Sequence, residues 1–130
     1  MQRLRLPEFI EILVPTRDRK GRAVSVSKQR EWMDHLAGYL LETLKVTGFQ
    51  ESQREGVWKQ EQTDLREYDP KTDRLSLVRE RVHVMRTACT RAQVNAFRKE
   101  GEALLVAMGK ALNQEAVAYE TREGLTILSL

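Results

Sequence analysis

His83 and Glu11 are the two residues whose types could move a proton. A histidine titrates near neutrality, and a neighbouring carboxylate suits it to general-base work. The pair functions only if their strands are neighbours and both side chains share a face. Arg79, Arg81 and His83 alternate along one segment. With Trp58 they offer cations and an aromatic plate to a small anionic ligand. The plainer reading of His83 is a cross-strand partner with no chemistry. Cys89 stands before a helix start, where a thiol gains acidity. However, the Cys-x5-Arg cradle fails because position 95 is Asn95, and no Cys-x-x-Cys occurs. A lone cysteine is more often a small buried apolar residue.

Other chemistries find no residues. His35 and His83 lack a His or Cys at ligand spacing, so no metal is expected. Asp64, Glu67, Asp69 and Asp73 do not follow the EF-hand order and read as a solvated acidic turn. Neither phosphate-binding glycine motif occurs, so no nucleotide cofactor is expected. Arg17, Arg19, Lys20 and Arg22 could hold phosphates without reading sequence. The aromatic motif of RNA-recognition modules is missing, so nucleic-acid binding ranks below the other readings.

The elements that position these residues follow from periodicity. Residues 8–15 alternate Ile10, Ile12 and Val14 against Phe9, Glu11 and Leu13, and Pro15 closes the run, as in a strand. Lys20-Gly21 marks a turn. Ser27 is the expected cap of a helix over Lys28–Leu44, whose apolar residues recur every three or four positions. Gly56–Thr63 reads as a weaker strand and Asp64–Arg74 as a turn or hairpin loop. In the strand Leu75–Thr87, Val78, Val82 and Val84 are expected on the core face. Leu77, Arg79, Arg81, His83 and Met85 are expected on the other. Thr90 and Gln93 form a capping-box signature before a helix over Arg91–Leu112, and Asn113 is a left-handed stop. Ala116–Glu120 and Leu125–Leu130 make two short strands or one broken strand.

The order β-α-β-β-α-β predicts an α+β, ferredoxin-like domain: an antiparallel sheet, two helices on one face, and a possible extra C-terminal strand. Val26-Ser27 and Trp32 at the first helix, Gly56-x-Trp58 at the second strand, and Gln114-Glu115-x-Val117 before the last strand pair together resemble a small bacterial family of unknown function. This chain departs in a longer loop at Asp64–Arg74 and in lacking an export signal. The resemblance implies the same ferredoxin-like fold and no reaction.

Composition frames these readings. With 130 residues, 41% of them apolar, the chain has one domain's length, 1–130. A single cysteine excludes an internal disulfide, which with the absent export signal predicts a cytoplasmic protein. No charge-free run approaches the roughly twenty residues of a membrane span. The net charge is +3, but residues 1–30 hold eight basic against three acidic residues, leaving the remainder mildly acidic. Phe9, Leu13, Trp58, Leu77 and Met85 fall on the sheet face expected to be open. Apolar residues there predict a contact, so a homodimer through that face is expected. Three functions follow: a homodimeric binding or structural module holding a small anionic ligand near Trp58, Arg79, Arg81 and His83; a dimeric α+β-barrel enzyme using His83 and Glu11; and a weak nucleic-acid binder using the basic turn.

Overall fold

The computed structural model describes residues 2–59 and 77–130; the side chains of 57–59 and 77–79 fall outside the description. Five strands are described: β1 (Glu8–Val14), β2 (Gln50–Lys59), β3 (Leu77–Cys89), β4 (Ala116–Thr121) and β5 (Gly124–Ser129). They form an antiparallel sheet in the order β2-β3-β1-β4-β5. The first four strands have the ferredoxin-like order, and β5 adds an edge by a hairpin. The last segment is therefore two strands, closed at Thr121 and Gly124.

The helices run in two stretches. α1 (Val26–Gly38) continues into a π-type turn at Tyr39–Thr43, where Leu44 N–H donates to the Tyr39 carbonyl at 2.9 Å. α2 (Arg91–Ala96) passes through a π-type turn, Phe97–Gly101, into α3 (Glu102–Ala111). The cap of α1 is Ser25, two residues before the expected Ser27, and it accepts from the Lys28 N–H at 3.2 Å. The Thr90–Gln93 capping box is present in both directions. Asn113 is left-handed, φ 54°.

One face of the sheet is covered. Ile10, Ile12 and Val14 pack with Met33, Leu36 and Leu40 of the first helical stretch and Val94, Phe97, Leu105 and Met108 of the second. Tyr39 and Phe97 join the two stretches, ring centroids 6.2 Å apart, and Phe97 meets Tyr119 edge-on at 4.9 Å. Gly109 allows the close approach of α3 to the sheet. A Cβ there would lie 2.6 Å from Val117 Cγ1 and 2.4 Å from Leu130 Cδ1.

Two expectations about the strands change. β2 starts at Gln50, before the expected Gly56. Its opening residues are all polar and show no hydrophobic alternation; pairing with β3 from Gln50↔Arg86 onward makes the strand. The faces of β3 are also the reverse of those expected. Ile12 pairs with Met85 and Val14 with His83, so Met85 and His83 lie on the helix side. Val82 and Val84 lie on the open side. Both faces of β3 carry apolar residues, and a one-residue choice of parity inverts every side chain. The expected loop at Asp64–Arg74 and the strand beyond Lys59 lie outside the described residues.

Candidate functional site

The open face centres on Glu11. β1 is the middle strand, and Glu11 is 3% exposed although no helix covers it. Its cover is two arginines. Arg54 of β2 holds both carboxylate oxygens, Nη2–Oε1 at 2.8 Å and Nη1–Oε2 at 3.1 Å. Arg86, the β3 residue opposite Glu11, adds a contact at 3.4 Å. The Arg54 side chain must cross β3 to reach β1, so its stem shields Val82 and Val84, which are 4% and 1% exposed. The guanidinium of Arg86 lies over the Phe9 ring, 3.9 Å from its centroid.

Electrostatics fix the charge state of this cluster. Burial alone would raise the Glu11 carboxyl, but the hydrogen bonds and charge of Arg54, then of Arg86, hold it below its ordinary value. Arg54 is correspondingly raised by Glu11, with a smaller contribution from Glu120. Glu120 sits opposite Glu11 on β4. The cluster thus sets two carboxylates beside two guanidiniums, in a face that also carries Phe9, Leu13, Val82, Val84, Ala118 and Ile127 and the polar Gln50, Ser52 and Ser129. Beside it opens a shallow cleft of about 300 Å³, lined by Thr47, Gly48, Phe49, Gln50, Arg86 and Ala88.

The expected site residues separate. His83 lies on the helix face, where its Nε2 meets Gln29 Oε1 of α1 at 2.8 Å. Glu11 lies on the opposite face, so the His83–Glu11 proton pair is not assembled. Arg81 shares the parity of His83, and its carbonyl accepts from the Thr16 hydroxyl. The backbones of Trp58 and Arg79 are in β2 and β3; their side chains lie outside the described residues. Cys89 is fully buried, and burial with the charge of Glu8 pushes its thiol up to about 11. It packs as a core residue. Among the described residues no three His, Cys, Asp or Glu gather as metal ligands.

The basic turn is occupied in its own folding. Asp18 accepts from Arg22 Nε at 3.0 Å and from the Lys20 and Arg22 N–H groups. Arg17 Nη1 bonds the Gly21 carbonyl at 2.9 Å, and the Arg19 N–H bonds the Asn113 carbonyl. All four basic residues, Arg17, Arg19, Lys20 and Arg22, are nonetheless exposed. Other residues singled out in the sequence have structural roles. Trp32 packs on the core, Val117 belongs to it, and Gln114 Nε2 donates to the Arg17 carbonyl at 2.7 Å.

Sequence reasoning missed Arg54 and Arg86. Arg86 was legible as the residue paired with Glu11 once β1 and β3 were adjacent. Arg54 carries no local signal, because it acts two strands away.

The chain matches no protein-family model and no curated protein by sequence. Solved structures do match it in fold. A phage SAM lyase in complex with S-methyl-5'-thioadenosine has a TM-score of 0.61 at 14% identity, covering 100% of this chain and 95% of that one. A phage SAM lyase in the apo state has a TM-score of 0.63 at 13% identity, with the same coverage. At this identity the likeness defines a shared α+β fold over essentially the full length of both chains. Among the described residues no helix is long and apolar enough to cross a membrane.

Proposed function

We propose that this protein binds, and cleaves, a sulfonium nucleoside of the S-adenosylmethionine type, with the open sheet face as its working surface. The observation that carries the reading is the full-length fold likeness to the phage SAM lyases, one of them holding S-methyl-5'-thioadenosine. The chemistry agrees with the residues present. The ligand's own carboxylate oxygen can attack the γ-carbon as the carbon–sulfur bond breaks: a new C–O bond closes a five-membered lactone, the electron pair goes to sulfur, and a neutral thioether leaves. No acid is needed to protonate the leaving group, so placement matters more than a proton-transfer pair. The open face supplies placement: the half-exposed Arg86, oriented by Glu11, for a ligand carboxylate, and the cleft beside Phe49.

Isothermal titration with S-adenosylmethionine and with S-methyl-5'-thioadenosine tests the binding. Chromatography of the same mixtures tests for conversion of the first into the second. Saturable heat that disappears in Arg86→Glu is the expected result. No heat at millimolar ligand and no product after prolonged incubation would end the proposal.

A second reading rests on a different observation. The open face sets Phe9, Leu13, Leu125 and Ile127 beside balanced charges, the mixed composition of a contact surface. In this reading the protein is a homodimeric binding or structural module joined through that face. Arg86→Glu would then lower the solution mass, and an unchanged mass would remove the face from the interface.

A further inference from the structure

The sheet ends in two edges of opposite character. β2 carries Glu51, Arg54, Glu55 and Lys59, the kind of charge that keeps an edge from pairing. β5 reads GLTILS, with neither charge nor proline. Its Leu125 and Ile127 are 51% and 60% exposed.

The hydrogen-bond phase of β5 is fixed at both ends. Thr121 and Gly124 close a two-residue hairpin, and bonded pairs recur at every second residue from there. At the far end, the Leu130 N–H donates to the Glu115 carbonyl at 2.9 Å, in the same phase. Residues 124, 126 and 128 therefore turn their backbone groups toward β4. Leu125, Ile127 and Ser129 turn theirs outward, away from the sheet.

We propose that β5 is the pairing edge for a second copy of this chain, joined antiparallel across a two-fold axis at Ile127. In that register Ile127 pairs with the same residue of the partner, and Leu125 pairs with Ser129. Each of these residues offers an outward N–H and C=O, so every outward group of the strand is satisfied. No charged side chain faces another, because the Arg122-Glu123 turn lies beyond the paired stretch. An isologous contact of this kind closes, whereas β5 on the charged β2 edge would build an open filament. The result is one continuous sheet across both copies. This inference is independent of the ligand reading and of the face contact.

Ile127→Pro is the first test. Proline removes an N–H that points outward and leaves the β4 ladder intact. Leu125→Lys, at an exposed position, is the second. Light scattering at tens of micromolar protein should give an even-numbered oligomer, and each variant should halve its mass while keeping its circular dichroism and cooperative unfolding. The amides of Leu125, Ile127 and Ser129 should exchange slowly in the parent protein and rapidly, where present, in the variants. Arg86→Glu should leave that protection in place, which separates the edge from the face. A monomeric parent protein, a mass unchanged in both variants, or rapid exchange at these amides within an oligomer would each overturn the proposal.

Discussion

Glu11 is a buried carboxylate on an uncovered sheet face, and its burial depends on two side chains. Removing its charge leaves Arg54 and Arg86 facing a neutral amide. Losing one partner of a buried ion pair costs about 3–5 kcal/mol. Both guanidiniums here are about half exposed, so solvent screening reduces this to roughly 1–2 kcal/mol. Glu11→Gln should lower the melting temperature by several degrees at neutral pH. Because the folded carboxyl titrates below its ordinary value of 4.5, its stabilisation is fully present above that value. It is lost as pH falls through the lower folded value. Melting curves of the parent protein and Glu11→Gln should therefore converge in acid, and a gap independent of pH would contradict this account. Cys89 gives a second test at the same scale. With its thiol buried and titrating near 11, it should resist alkylation at pH 8 in the folded protein. It should react readily once denaturant is added.

At the scale of elements, legibility followed the hydrophobic pattern. β1, both helical stretches, the Thr90–Gln93 box and the Asn113 stop carry local signals, and each was readable. Gln50–Glu55 was not, because it becomes strand only through its neighbour. The parity of β3 was not, because Val82 and Val84 look like core when the arginines that cover them are out of view. Gly109 shows the opposite case. In isolation a glycine inside a helix costs about 1 kcal/mol relative to alanine, but here Val117 and Leu130 occupy the space a methyl group would need. Gly109→Ala should destabilise the fold by about 1–3 kcal/mol through overpacking, measured by denaturant titration. A stabilised variant would mean that α3 can shift off the sheet at little cost.

For the whole molecule, the sheet is a surface with one finished side. Helices close one face, and a balanced ionic cluster within apolar residues occupies the other. The fold was readable from element order. The site was not, because Arg54, Glu11 and Arg86 come from three strands, and only the strand order unites them. The same holds for the basic turn, whose excess charge is legible but whose ties to Asp18, Asn113 and Gln114 are not. Since Arg17 and Arg22 are engaged within the turn, single-stranded RNA should bind weakly, if at all, at physiological salt. Tight binding in a titration at two salt concentrations would restore the nucleic-acid reading.

The central position of β1 has a consequence for how the chain reaches this state. β1 precedes every other strand, yet its neighbours are β3, ending at Cys89, and β4, ending at Thr121. At about 5–20 residues per second, a ribosome needs on the order of ten seconds to supply the first of them. During that time Ile10, Ile12 and Val14 have no native strand to meet. The ladder they join is dominated by distant pairings, which places refolding in the millisecond-to-second range. The nascent chain is thus a candidate for chaperone capture near its beginning, and charge substitutions at these three positions should weaken that capture before they can affect any finished surface.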